Sequence, residues 1–290
     1  MTEFDGLPVL RSPIVIAAFE GWNDAGDAAT AVVEHLELEW QAKPVAEIDP
    51  DDYYDFQVNR PLVSMAESPA GRRIEWPTTR ISTCTPPGAD RDVVLVRGIE
   101  PNMRWRGFCE EILELFHALD VEQVILLGAL LADTPHSRQF PVTGSASDPE
   151  MANRYDVQQT KYEGPTGIVG VLHDACVRAE IPSLSYWAQV PHYVAQAPNP
   201  KATLALLHTL ENVLDMRVPM GELAERAAAW ESQVNELAAS DADMAEYIRT
   251  LEQRDGDEEL PQASGEDLAR EFEKYLRRRG GTAGPGGPAV

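Results

Sequence analysis

The stretch PIVIAAFEGWNDAGDAATAVVEHLEL, residues 13–38, decides the fold of this chain. Its apolar run at 14–19 has no polar alternation, which is typical of a strand covered on both faces. An acidic loop containing glycine follows, and then an alanine-rich segment with apolar side chains at helical spacing. This strand–loop–helix order predicts the start of an α/β domain, a fold whose binding sites usually lie in such loops.

The rest of the chain continues the alternation of strands and helices. Two segments do not fit it: residues 132–162 show little periodicity and form a candidate binding loop or lid, and the acidic and aromatic residues 49–55 are expected outside the core. A small antiparallel addition is predicted over residues 73–84. The remaining predicted strands are 44–48, 92–97, 123–131 and 181–190, and the predicted helices are 105–119, 164–179 and 200–216.

The character of the sequence changes after residue 218. Apolar residues between 223 and 251 follow heptad intervals that Asp241 interrupts, so this stripe either serves self-association or packs back on its own core. A last helix is predicted over 265–279. The predicted division is an α/β domain over 1–221, a helical C-terminal extension over 222–279 and a disordered tail over 280–290.

The charge is unusual for a globular protein. The chain has 24 basic and 48 acidic side chains, a net charge of -24, which argues against nucleic acid and anionic membranes as partners. No window approaches the ~20 consecutive apolar residues of a membrane span, and residues 1–13 do not resemble a signal peptide. Cys84, Cys109 and Cys176 form no CxxC pair and are expected to be reduced, buried thiols of a cytoplasmic protein.

The common catalytic signatures are missing from the sequence. None of the four lysines follows a glycine, and no G-x-S-x-G, H-E-x-x-H or G-x-G-x-x-G pattern occurs. Their absence lowers the odds of nucleotide or ester hydrolysis, and neither a cofactor nor a metal site is expected.

Polar residues at predicted strand ends form the candidate site. Glu20, Asn23 and Asp24 could present carboxylates and an amide to a ligand. A tight turn at Gly21 with Asp24 capping the helix, and Asp27 three residues on, is the simpler explanation because capping needs only one of these residues. Arg97 and Glu100 could face the same crevice or form a surface ion pair.

Two further features could take part in chemistry. His136 lies in the unpatterned segment and is the best histidine candidate, since the other five fall within helical or strand-edge patterns. The turn at 164–167, with Pro165 in the first turn of the predicted helix, could offer backbone N–H groups to an anion. Close helix–sheet packing explains its glycines as well.

Four motifs in order resemble the PAC2 family, which is named after proteasome assembly chaperone 2. The resemblance covers about residues 10–218, and a helical C-terminal extension is similar to the actinobacterial branch. The motifs are GWNDAG (21–26), VRGIEPNMRW (96–105), YEGPTGIVGVL (162–172) and IPSLSYWAQVPHYV (181–194).

The resemblance implies a three-layer α/β/α core similar to nucleoside phosphorylases, without their catalytic apparatus. Eukaryotic and archaeal relatives are associated with assembly of the proteasome α-ring, and relatives form rings or dimers. Some relatives insert a C-terminal hydrophobic–tyrosine–X tail into proteasome pockets, whereas this sequence ends Pro288-Ala289-Val290. The resemblance does not extend to that tail.

Two functions follow as hypotheses. The first is a non-enzymatic protein-interaction or assembly factor, a proteasome-related chaperone whose partners are proteasome subunits and which forms a homo-oligomer. The alternative is an enzyme or a binder of a nucleoside- or phosphate-like molecule in the crevice. That alternative requires Glu20, Asn23, Asp24, Arg97, Glu100 and His136 to converge on one pocket.

Overall fold

The computed structural model describes residues 6–65, 71–160 and 162–253. The strands are β1 Ile14–Glu20, β2 Lys43–Glu47, β3 Leu62–Ser64, β4 Arg73–Glu75, β5 Arg80–Cys84, β6 Val93–Ile99, β7 Gln123–Ala132, β8 Val142–Ala146, β9 Gln158–Gln159 and β10 Ser183–Pro191. The helices are α1 Ala28–Glu39, α2 Trp105–Ala118, α3 Pro149–Arg154, α4 Ile168–Arg178, α5 Pro200–Leu214, α6 Leu223–Ser240 and α7 Ala242–Gln253. The predicted helix 265–279 and tail 280–290 lie outside the described residues.

Eight strands form one mixed sheet in the order β2-β5-β6-β1-β7-β10-β8-β9. Its four central strands, β6, β1, β7 and β10, are parallel, and β5 and β8 add antiparallel on either side. The strongly apolar strand β7 lies in the centre of the sheet, between β1 and β10. β3 and β4 pair only with each other, as a separate two-stranded sheet that we call the hairpin.

The first strand shows why the sheet has helices on both faces. Successive side chains of a strand point to opposite faces, so an unbroken apolar run fills two cores. One face of β1 joins the core with α1 and α5, and the other joins the core with α2 and α4. This confirms the predicted three-layer α/β/α architecture, while the similarity to nucleoside phosphorylases stays a prediction. The residues of β1 on the two faces are Ile14, Ile16 and Ala18, and Val15, Ala17 and Phe19.

Two sequence expectations about irregular segments are wrong. Residues 132–162 are not one long loop, because they contain β8, α3 and β9. The sequence periodicity did not reveal β8, because this outer strand has Gly144 at its centre and few apolar side chains. In the acidic segment 49–55, Tyr53 and Tyr54 are buried. Their rings lie in the core while their hydroxyls bond to Glu111 and to the Ile99 carbonyl.

The heptad stripe is divided between two helices. Asp241 ends α6, and its carboxylate accepts the backbone N–H groups of Asp243 and Met244 at the start of α7. Of the alternatives left open by the sequence, the structure has the stripe packing on its own core, where Trp230 meets Phe140 edge to face at 5.9 Å. Leu237 alone among the larger stripe residues is strongly exposed. The buried members are Leu223, Val234, Ile248 and Leu251.

Within the described ranges, no helix has the length and apolar character needed to cross a membrane. The division into domains at residue 221 stays a prediction.

Candidate functional site

The carboxyl ends of the parallel strands meet at one edge of the sheet. β6 and β7 lie on opposite sides of β1, so the chain reverses its direction of winding there, and α/β sheets usually bind ligands at such a point. All six sequence-predicted site residues lie within four residues of the carboxyl ends of β1, β6 or β7. Their contacts, however, divide them into separate groups.

Glu100 is held inside the chain by hydrogen bonds. Its Oε1 accepts the side-chain amide of Asn23 at 2.6 Å and the backbone N–H of Ile168 at 2.8 Å. Ile168 is the first residue of α4, so the carboxylate lies where a helix N-terminus favours an anion. The sequence suggested that this helix N-terminus could bind an anion. In the structure the Glu100 carboxylate of the chain itself lies there.

A glycine makes this arrangement possible. A Cβ on Gly167 would lie 2.3 Å from Asn23 Oδ1, closer than packing tolerates. α4 begins at Ile168, so the prediction that Pro165 occupies its first turn is wrong. The turn is instead shaped by Asn23, which is buried and whose Oδ1 has no hydrogen-bond partner among the described residues.

Asp24 supports the start of α1. Its carboxylate accepts the N–H groups of Ala29 at 2.6 Å and Thr30 at 3.1 Å, and also the Thr30 hydroxyl. Residues 25–27 form a short 3-10 turn, so Asp24 caps from further out than predicted, and Asp27 makes no capping bond. Burial raises the pKa of Asp24 to about 6, against the opposing effect of these bonds.

Arg97 and Glu20 lie in a cleft of about 420 Å³ beneath the hairpin. Arg97 pairs with Glu37, with N···O distances of 3.0 and 3.1 Å, and not with Glu100 as one reading of the sequence suggested. Burial raises the pKa of Glu20, and the positive charge of Arg97 opposes that rise. These two residues are brought together, but the other four candidates do not line this cleft.

His136 belongs to a different cluster. Its backbone N–H donates to the Tyr193 hydroxyl at 2.7 Å, its Nδ1 lies 2.9 Å from the same oxygen, and its Nε2 lies 3.1 Å from Asn235 Oδ1. Lys201 joins the His136 carbonyl to Glu231 at 2.5 Å each. Because Asn235 and Glu231 lie on α6, this cluster ties the helix to the segment after β7.

The described residues provide neither a metal site nor a reactive thiol. The described part of the chain has no group of three His, Cys, Asp or Glu side chains placed to hold a metal. The three cysteines are buried and free, as predicted, and burial raises the pKa of each to about 12. A thiol with that pKa is not a nucleophile near neutral pH.

Sequence reasoning missed the surface that stands out most. The hairpin and its flanks expose six large apolar side chains, of which only Ile74 and Trp76 fall within the antiparallel addition predicted over residues 73–84. The sequence did offer a signal for this surface, namely apolar residues that follow neither helical nor strand periodicity. The six are Val58, Leu62, Val63, Met65, Ile74 and Trp76.

The comparisons with known proteins agree with this architecture. The PAC2 family profile matches residues 18–238. A PAC2 family protein from Streptomyces avermitilis is 57% identical, over 81% of this chain and 99% of that one, with a TM-score of 0.77. A proteasome-assembly chaperone homologue from Mycobacterium tuberculosis is 55% identical, with the same coverage and a TM-score of 0.74.

A more distant likeness concerns the fold alone. An archaeal proteasome activator from Pyrococcus furiosus is 18% identical, over 80% of this chain and 95% of that one, with a TM-score of 0.64. No curated protein matches the sequence. Since the family profile spans most of the chain and two solved relatives share more than half of the aligned residues, the resemblance seen in the four motifs is confirmed: the chain belongs to the PAC2 family.

Proposed function

We propose that this chain is a non-enzymatic protein-interaction factor, and that its partner belongs to the proteasome or its assembly pathway. The observation that carries the proposal is the hairpin, whose apolar side chains are exposed on a chain with two well-filled cores. Exposed apolar side chains gathered on one short element of a folded protein indicate an interaction site. The relative from Mycobacterium tuberculosis is a proteasome-assembly chaperone homologue, which supports the proteasome as the first partner to test.

The enzyme alternative lacks the convergence it required. Asn23, Asp24 and Glu100 direct their carboxylate and amide groups at the chain's own backbone and side chains. His136 contacts Tyr193 and α6 instead. The six residues therefore supply no common pocket for a substrate, and we do not carry that alternative further.

The test is reconstitution with purified proteasome subunits from an organism that encodes this protein. Full-length protein is mixed with separated α and β subunits, and assembled particles are followed by native electrophoresis and mass photometry. We expect a complex with α subunits or a higher yield of particles. The Val63→Ser/Ile74→Ser variant should lose this effect, while Leu38→Ser/Val177→Ser, which alters exposed apolar residues on α1 and α4, should keep it. No complex and no change in yield with the unaltered protein would refute the proteasome as partner.

Self-association and location are part of the same proposal. We propose a homo-oligomer in the cytoplasm, although the stripe at 223–251 that suggested self-association is largely buried within the chain. Light scattering of the full chain measures the mass directly. A monomer at all concentrations would overturn the oligomer while leaving the interaction with a partner untouched.

A further inference from the structure

The hairpin presents apolar side chains on both of its faces. Val63 and Ile74 lie directly opposite each other across the two strands and are 55% and 53% exposed. Side chains alternate along a strand, so the neighbouring pair Leu62 and Glu75 points to the other face, where both line the cleft. A two-stranded sheet of this length is marginal by itself, and its outer edges pair with no other described strand.

The same segment is basic on a strongly acidic chain. Residues 56–80 contain four arginines and two glutamates, whereas the whole chain has 24 basic and 48 acidic side chains. Arg60, Arg72 and Arg73 form no ion pair with any described residue, and Arg80 reaches Glu47 at 3.4 Å. An exposed guanidinium that forms no ion pair is available to a partner's carboxylate, which it can bind in bidentate fashion.

The cleft continues this surface toward the sheet. It lies between the hairpin and the ends of β1 and β6. Its lining combines three arginines and two glutamates with Trp76 and Leu62, and the charged residues are Arg60, Arg80, Arg97, Glu20 and Glu75. The Trp76 ring packs against Phe56 at 5.0 Å, which holds it in place while nearly half of the residue stays exposed. A side chain entering here would meet both an aromatic wall and positive charge.

We propose that the hairpin and the cleft beneath it are a docking surface for an extended, acidic segment of a partner protein. The segment adds along an open edge of the hairpin, places apolar side chains against Val63 and Ile74, and directs carboxylates to Arg60, Arg72 and Arg73. This inference rests on the proposed function, because it states the chemistry of the partner that such a factor binds.

The pattern of charge favours a protein segment over a polyanion. Nucleic acid or an anionic membrane presents many closely spaced charges, and a chain with a net charge of -24 repels such a polyanion overall. A short segment with a few carboxylates between apolar side chains matches the local composition instead. The helices α6 and α7 are themselves acidic, so a second copy of this chain is an alternative occupant of the hairpin. The test must distinguish it from a partner protein.

The probe is a set of three fluorescein-labelled eight-residue peptides of alternating sequence. One alternates Asp and Val, the second has Asn in place of Asp, and the third has Lys. Fluorescence anisotropy with the full chain should show the acidic peptide binding at least about tenfold more tightly than the other two, with an affinity that falls as salt rises. Equal binding of the acidic and neutral peptides, or no binding of the acidic one, would overturn the proposal.

Matched variants locate the effect. Arg72→Gln/Arg73→Gln should weaken binding of the acidic peptide about tenfold, roughly the sum of two exposed charge pairs. Arg226→Gln/Arg249→Gln removes the same charge from exposed positions of α6 and α7 and should leave binding unchanged. If both pairs weaken binding equally, the effect is bulk charge and the inference fails.

Two further results would assign the surface to another occupant. If light scattering finds an oligomer that Arg72→Gln/Arg73→Gln dissociates, a second copy covers the hairpin and the proposal is wrong. It is equally wrong if single-stranded DNA or phosphatidylserine vesicles bind through these arginines and the acidic peptide does not. Failure here is separable from failure of the proposed function. A complex with proteasome subunits that survives both hairpin variants contradicts this inference alone, whereas acidic-peptide binding without any such complex contradicts only the proteasome as partner.

Discussion

The strand-end edge of the sheet and the hairpin use their side chains in opposite ways. At the edge, Glu100 accepts hydrogen bonds from the Asn23 amide and from the first turn of α4, and Asp24 accepts them from the first turn of α1. On the hairpin, Val63 and Ile74 turn apolar surface outward. The sequence predicts a site at the edge, but in the structure these residues support the fold. The hairpin, to which the sequence assigned no site, exposes apolar surface instead.

The difference teaches how to weigh polar residues at the ends of strands. A buried carboxylate or amide must find hydrogen-bond partners, and a helix N-terminus next to a parallel strand supplies free N–H groups. Such residues serve the fold whether or not a ligand binds. An exposed apolar pair satisfies no such internal need, and it is therefore the stronger sign of a partner.

The largest effect is expected at Gly167. In Gly167→Ala the added Cβ collides with the buried Asn23 amide and breaks its bond to Glu100. Overpacking together with unsatisfied buried groups should lower the free energy of unfolding by about 3 kcal/mol, measured by urea denaturation. Gly107→Ala is the control: its Cβ would only touch Tyr53 at 3.8 Å, and helix α2 should gain about 0.5–1 kcal/mol. Equal effects at both glycines would mean that Asn23 and Glu100 do not hold the edge.

The next effect is a pH dependence centred on Asp24. Its pKa of about 6 lies above the ordinary value near 4, so between these values the folded chain keeps a proton that the unfolded chain loses. Stability from the protonated carboxyl is full below about pH 4 and is lost as pH rises through 6. The difference in unfolding free energy between the native protein and Asp24→Asn should therefore fall by about 2–3 kcal/mol over that window.

The control for this prediction has the opposite sign. Asp148 caps α3 by accepting the N–H groups of Glu150 and Met151, and these bonds lower its pKa. Its contribution is present above its ordinary pKa and disappears as the pH falls. If the free energy of unfolding changes with pH in the same way for Asp24→Asn and for the native protein across pH 4–6, the burial argument is wrong.

Much of the fold was predictable because the central strands carry an unmistakable signal. Strands buried on both faces, such as β1 and β7, are continuous apolar runs, and their bounds were predicted to within one residue. The outer strand β8 was not, since one central residue is Gly144 and its packing depends on Tyr186 of β10. Local sequence does not reveal such a partner.

The candidate site was predictable only in position. The sequence identified residues that gather near the strand ends, yet which groups they bond to depends on contacts between distant segments. Asn23 meets Glu100 across 77 residues, and His136 meets Asn235 across 99. The hairpin was missed for a related reason: exposure is decided by what fails to cover a residue, and a pattern of residue types does not report it.

A smaller effect is expected in the cluster that ties α6 to the sheet. Tyr193→Phe removes the oxygen that accepts the His136 backbone N–H and leaves that donor unsatisfied. We expect a loss of about 1–2 kcal/mol in unfolding free energy and faster hydrogen exchange along α6. Tyr162→Phe, which removes an exposed hydroxyl bonded to the Pro165 carbonyl, should change stability by less than about 0.5 kcal/mol. Identical losses in both variants would show that the cluster does not anchor the helix.

The smallest effect on stability is expected at the hairpin. Val63→Ser/Ile74→Ser alters two side chains that are already more than half exposed, so the free energy of unfolding should change by less than about 0.5 kcal/mol per site. Val94→Ser, in a fully buried position of β6, should cost several times as much, about 2–4 kcal/mol, because a core methyl pair is replaced by an unpaired hydroxyl. Urea denaturation of the three proteins measures both. If the hairpin variant loses as much stability as Val94→Ser, the apolar side chains of the hairpin stabilise the fold. The contrast would then be wrong, because the strand-end edge and the hairpin would both serve the fold.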